Sequence, residues 1–328
     1  MPWSPASLIR SGLLALLLLL LILFPSVLFN STLEEHYEEV RGWFRFGRSP
    51  DAPSRFAGIR TRSWFKGAVF VGFFVAGALL YSFLSPSIGF NRRTLTLFLG
   101  LLLGLVLVTL LAELPVILML RKVTDRGRIR LLAGSLVVGV VCVAVSRLLH
   151  FQPGYLYGVV AGAAFQRELS KDEAGRSILV ASIILLGSSL LAWLLWVPVS
   201  HAANHPGASI WLLILESVLA AVFVTGIEAT VIGLLPIRFL DGHKLYTWNR
   251  VLWGVVFVVG AFGMIHLLLR PGGGYFQHSG NAPMFTVIAL FVAFGVVSVA
   301  FWAYFRYRKP RGEPGSAEPS DPAPAPAE

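Results

Sequence analysis

Cysteine is almost missing from this 328-residue chain: Cys142 stands alone. One thiol closes no intrachain disulfide and supports no Cys/His zinc spacing. Charge is scarce as well, at 13% of residues against about 25% in soluble domains, while apolar residues reach 56%. That balance excludes an ordinary soluble domain. Acids are scarcer still than bases, leaving a net charge of +10. In so apolar a chain this excess reads as cytoplasmic loops of a membrane protein, not as a nucleic-acid footprint. The signature His-Glu-x-x-His of zinc hydrolases occurs nowhere.

What the chain has in quantity is long apolar runs, several exceeding the roughly 18 residues that mark a transmembrane helix. They predict an all-α fold, a polytopic transmembrane bundle of eight or nine membrane segments. The spans read as Ser11–Phe29, Trp64–Leu84, Thr94–Leu120, Ile129–His150, Arg176–Val199, Ala208–Leu235, Arg250–Leu269 and Met284–Tyr304. Residues 1–29 are expected to be a retained N-terminal helix, with too little positive charge and no small-residue cleavage site for a signal peptide. Residues 30–63 form a cytoplasmic polar helix and loop: Ser31 and Glu34 suit a capping box, and Trp43, Phe44 and Phe46 suit the membrane surface. Residues 64–308 make the polytopic domain, and 309–328, rich in Pro, Ala and acid, a disordered cytoplasmic tail.

Charge orders these spans. The clusters Arg121–Arg130 and Arg306–Arg311 mark cytoplasmic loops, and so, counting back from the tail, does Arg167–Arg176. One helix cannot join two loops on the same side, so a further crossing is needed near 154–168. The candidate is Gly154–Phe165, a short or half-helix rich in small residues and tolerable only when buried among others. With it, the N-terminus lies outside, the C-terminus is cytoplasmic, and 22 of the 27 basic residues fall inside.

Ionisable groups within spans are costly, about 2.5–3.5 kcal/mol or more at mid-helix, so each is a functional candidate. Glu113 and Glu228 fall on different helices at the same depth, roughly 12 Å from the cytoplasmic face; Glu216 belongs to the outer half. Either the first two are uncharged acids hydrogen-bonded to neighbouring helices, or they line a polar cleft with Pro236, Asp241 and Gly242. Pro115, soon after Glu113, frees a carbonyl near Leu111 and favours a kink there. Gly100-x-x-x-Gly104 offers a face for close helix packing. His201 and His205 have metal-ligand spacing only on a helix, and the flanking Pro198 and Pro206 argue for a loop.

The stretch Ile232-Gly-Leu-Leu-Pro-Ile-Arg-Phe-Leu-Asp-Gly242 resembles the uncharacterised actinobacterial membrane proteins named for an FGLLP motif, with Ile232 where the motif has Phe. The resemblance extends to Leu28–Glu35 and Val40–Trp43 and implies architecture without an activity. Pro236 with Leu240-Asp241-Gly242 is also distantly similar to the later motif of site-2 intramembrane metalloproteases. There the Asp is a zinc ligand, a role that Asp241 would inherit. The matching earlier segment, Ala112-Glu113-Leu114-Pro115-Val116, lacks both histidines, so the resemblance implies a core whose metal is lost. The expected function is therefore a non-catalytic scaffold or binding protein for membrane partners, without cofactor. The alternative is an ion- or proton-coupled transporter using Glu113 and Glu228, and an active metalloprotease is the remote third reading. The expected partners are the lipid bilayer and other membrane proteins, not nucleic acid.

Overall fold

An apolar run in a bilayer must satisfy its backbone internally, and a helix does so without help. The computed structural model describes residues 4–37, 39–40, 63–83, 89, 91–120, 128–131, 140, 143–144, 161–164, 169–238, 240–269 and 282–307. Among these the regular elements are helices apart from two four-residue strands. The elements are α1 (Pro5–Glu35), α2 (Ser63–Ser82), α3 (Arg92–Leu120), β1 (Arg128–Leu131), β2 (Ala161–Ala164), α4 (Lys171–Ala203), α5 (Ile210–Gly233), α6 (Asp241–Trp248), α7 (Arg250–Gly263) with a π-helical extension Met264–Leu268, and α8 (Ala282–Tyr307). Five helices are long and apolar enough to cross a membrane: α1, α3, α4, α5 and α7 with its extension. By length and composition they mark a membrane protein. Helices α2 and α8 carry shorter apolar stretches, Ala68–Ser82 and Phe291–Tyr307.

Helix starts follow local chemistry. Ser4 accepts from the Ser7 N–H, with Pro5 opening α1, and Pro is suited to a first turn whose N–H groups lack partners. Ser170 and Glu173 make a full capping box on α4, Ser209 caps α5 and Asn249 caps α7. Between α4 and α5 the chain turns through Gly207 at φ 89°, where a side chain would be strained.

Small residues set the packing. A Cβ on Gly100 would collide with Ser217, and one on Gly104 with Ala221. Both helices advance by four residues between these contacts, so α3 and α5 run parallel in close contact, the small-residue mode of membrane packing. Gly226 of α5 likewise accepts Ser189 of α4 against its backbone. The core centres on α5 and α7, with Phe223, Ile227, Trp253 and Phe257 fully buried, and Leu18 and Ile22 of α1 close it. Outward faces stay apolar, as at Leu13, Leu20 and Phe24 of α1.

Helix α1 also runs parallel to α8. Pro25 lies beside Gly295, Phe29 meets Phe301 at 5.2 Å and His36 meets Phe305 at 4.2 Å between ring centroids. The start of α1 and the end of α8 therefore lie at opposite ends of the bundle. We call the end holding Asn30, residues 234–240 and the start of α7 the turn end.

Several sequence-based expectations change. The Ser31–Glu34 capping box does not form, because α1 continues unbroken to Glu35; Ser31 Oγ donates instead to the Leu28 carbonyl at 3.0 Å. The expected short crossing is extended, not helical, at Ala161–Ala164, and so is the start of the expected span Ile129–His150. These residues pair antiparallel, Arg128 opposite Ala164 and Leu131 opposite Ala161. Arg128-Ile129-Arg130-Leu131 alternates charged and apolar residues, the two-residue period of a strand, and Gly162 weakens helix formation. Helix α4 also runs past Pro198 to Ala203, so His201 is helical and not in a loop, while His205 lies in the turn beyond. The expectations for 41–62, Cys142, 154–160 and the tail 309–328 lie outside the described residues.

Candidate functional site

The segments Leu28–Glu35 and Ile232–Gly242 are some 200 residues apart in sequence, yet they meet. Helix α5 ends at Gly233, and a turn leads into α6. Its backbone would leave donors and acceptors exposed in an apolar setting, and buried polar groups of this kind require partners. Asn30, on the last turns of α1, supplies two. Its side-chain Nδ2 donates to the Pro236 carbonyl at 2.7 Å, and its Oδ1 accepts from the Arg238 N–H at 3.0 Å. A primary amide is the side chain that can offer a donor and an acceptor at once. His243 Nδ1 lies 3.4 Å from the same Nδ2.

Two further contacts fix the turn. The Trp253 indole N–H donates to the Leu234 carbonyl at 2.7 Å, fully buried. Gly242 lies against Leu234 and Leu235 so closely that a Cβ would overlap the Leu234 carbonyl. On the outer surface Arg238 pairs with Glu34 at 3.1 Å, both groups half exposed, and its guanidinium stands 5.7 Å from the centre of the Tyr37 ring. Such surface pairs contribute little each, about 0–1 kcal/mol. The buried amide and indole bonds dominate.

Asp241, a candidate cleft residue and the position of the zinc-ligand resemblance, sits at the start of α6. The residue preceding α6 is Leu240, with no side-chain cap. Asp241 opens the helix and takes an ion pair from Lys244 at 2.9 Å, with side-chain exposure of 64%. An acid in a first turn suits the helix dipole without reaching inward. Tyr246 and Trp248 pack inward: Tyr246 meets Trp253 edge-on at 5.1 Å, and Trp248 fills the space over Gly175 while donating to Asp172 at 2.8 Å. Together they tie α6 to α4 and α7.

The intramembrane acids separate. Glu228 is 8% exposed. It stands eleven residues after Ser217, roughly 20° around the helix, so it points at α3. The step that puts Gly100 beside Ser217 and Gly104 beside Ala221 brings Leu111 level with Glu228, and Glu113 two residues further on. Glu113, however, is turned roughly 220° from Gly100, onto the side of α3 where Leu105 packs with Phe73 and Phe74 of α2. Glu113 is therefore turned away from the face of α3 that meets Glu228, and the two acids form no facing pair. Glu216, in the other half of α5, accepts from the Trp196 indole at 3.1 Å.

In sequence Asn30 stands at a helix start, which conceals its partners some 200 residues away. The available signal was an amide at the end of a long apolar run, which is costly there unless bonded. A second polar link was also missed: buried His266, within the π-helical extension, shares a 3.0 Å bond with Ser11 of α1 through Nδ1. Among the described residues no three His, Cys, Asp or Glu side chains converge as metal ligands.

These features define a helical membrane-protein core whose first helix clamps a turn between its two most buried helices. No protein-family model, curated protein or solved structure matches the chain.

Proposed function

We propose that this chain is a non-catalytic, multi-pass scaffold of eight or nine membrane segments, of the FGLLP-motif type, that binds other membrane proteins at its turn end. One observation carries the reading: Asn30 joins the Pro236 carbonyl and the Arg238 N–H. The two motif segments thereby become one rigid surface unit whose polar groups serve structure. The exposed faces of α6 and Arg238 then offer a fixed shape for a partner, with Thr247 and Lys244 outward. Rigid presentation lowers the ordering cost of binding. Basic residues at this end, Arg238, Lys244, Arg250 and Arg306, favour the cytoplasmic side, with the N-terminus outside.

The metalloprotease likeness loses weight because Asp241, its sole candidate ligand, is engaged with Lys244 at the surface. A proton-coupled transporter is favoured by the burial of Glu228, but the acid meant to share its work lies on another side of α3.

The test is photo-crosslinking of the full-length protein in native membranes, with the probe replacing Thr247 and a control probe replacing Trp211, which is 77% exposed at the other end of α5. The expected result is one membrane protein, identified by mass spectrometry, captured from position 247 but not 211, with capture reduced when Asn30→Ala loosens the turn. Only lipid or intramolecular adducts at 247 would overturn the proposal.

A further inference from the structure

We propose that Glu228 is a proton-binding site, its carboxyl O–H donating to the Leu111 backbone carbonyl on the neighbouring helix α3. Three independent observations converge there. First, Glu228 is nine-tenths buried on the α3 face of α5, with no hydrogen bond or ion pair among the described residues. Second, Gly100 lies beside Ser217 and Gly104 beside Ala221, and the same parallel step continued seven residues along both helices levels Leu111 with Glu228. Third, Leu111 is four residues before Pro115, which lies inside the helix and has no N–H to give the Leu111 carbonyl its usual bond. An acceptor deprived of its helix donor thus faces an acid from the next helix.

Hydrogen-bond accounting selects the proton as ligand. A carboxylate and a carbonyl are both acceptors, and together in an apolar contact they repel; one proton on the carboxyl turns the pair into a donor and an acceptor. The nearby hydroxyls have already placed their hydrogens. Ser189 donates to Leu185, Thr225 to Ala221 and Thr230 to Gly226, so none of these three serves Glu228. A hard cation would need about six oxygen ligands or more, far beyond a single carboxyl.

Among the described residues, none of the charged groups on the surrounding helices is placed at this contact. Glu113 lies on the α2 side of α3, and Glu216 is bonded to Trp196 in the other half of α5. Lys171, Asp172, Glu173 and Arg176 stand in the opening turns of α4, and Arg250 opens α7. His266 lies beside Ser11 at the opposite end. Loss of the proton removes the α3–α5 link and leaves a carboxylate against a carbonyl, so the contact is coupled to protonation. The inference is independent of the scaffold proposal, since it concerns a contact inside the bundle.

The experiment is infrared difference spectroscopy of the full-length protein in lipid, between acidic and alkaline pH. The expected acidic state has a protonated-carboxyl band that disappears in Glu228→Gln, an isostere that keeps a donor for Leu111 and so preserves folding. In Pro115→Ala the backbone N–H returns to Leu111, and the band should move to higher frequency as the carboxyl loses its acceptor. Absence of any band that Glu228→Gln removes would overturn the proposal. A band that stays in place in Pro115→Ala would overturn it too, since the acid would then be bonded elsewhere.

Discussion

The dual role of Asn30 makes a sharp prediction through Asn30→Asp. This change keeps the side-chain volume and the acceptor for the Arg238 N–H, but replaces the donor to Pro236 with a carboxylate oxygen. The Pro236 carbonyl, buried and 2.7 Å away, then faces an acceptor in place of a donor. Leaving a buried acceptor unmet costs about 1–3 kcal/mol, and the added charge makes the upper part of that range the better guide. About 2 kcal/mol corresponds to a roughly 30-fold change in a local opening equilibrium. Hydrogen–deuterium exchange, followed by mass spectrometry on a peptide covering 234–242, reads that equilibrium directly. Exchange there should rise by an order of magnitude or more in Asn30→Asp and comparably in Asn30→Ala, while α4 peptides stay unchanged. If Asn30→Asp exchanges within twofold of the natural protein, the donor to Pro236 is not holding the turn and the clamp argument fails.

Trp253→Phe keeps the ring stack on Phe257 but strips the Leu234 carbonyl of its donor, and should lower unfolding free energy by about 1–3 kcal/mol in a steric-trapping assay in bicelles. Gly242→Ala forces a Cβ into the Leu234 backbone, so a loss of about 1–3 kcal/mol or more is expected by the same assay; Gly233→Ala, with open space around it, is the control that should not destabilise. Gly100→Ala should push α3 from α5, read as a longer distance between spin labels on the two helices, whereas Gly254→Ala meets nothing and should gain about 0.5–1 kcal/mol as a helix residue.

What the sequence revealed and what it hid divide along physical lines. Apolar length needs no tertiary knowledge, because backbone satisfaction in a bilayer is a local demand; α3, α5 and α7 accordingly begin and end close to where hydropathy places them. The boundary between α1 and the polar residues after it was invisible for the opposite reason. Asn30 and Glu34 look like the start of a new element until Pro236 and Arg238, about 200 residues away, turn out to be their partners. The same distance problem applies to β1 and β2. Arg128–Leu131 alternates like a strand, but four alternating residues carry little weight beside a long apolar continuation, and only pairing with Ala161–Ala164 decides the matter.

Depth and direction are likewise separate quantities. Counting 1.5 Å per residue levels Glu113 with Glu228 but says nothing of where either points. Direction required knowing which face of each helix met the other, and that information sat in Gly100, Gly104, Ser217 and Ala221, not in the acids themselves. Depth alone therefore does not choose between acids that pack on neighbouring helices and acids that share a cleft. Once the faces are known, the group level with Glu228 is a carbonyl that Pro115 has stripped of its bond, and two features read separately as a costly acid and a helix kink become halves of one contact.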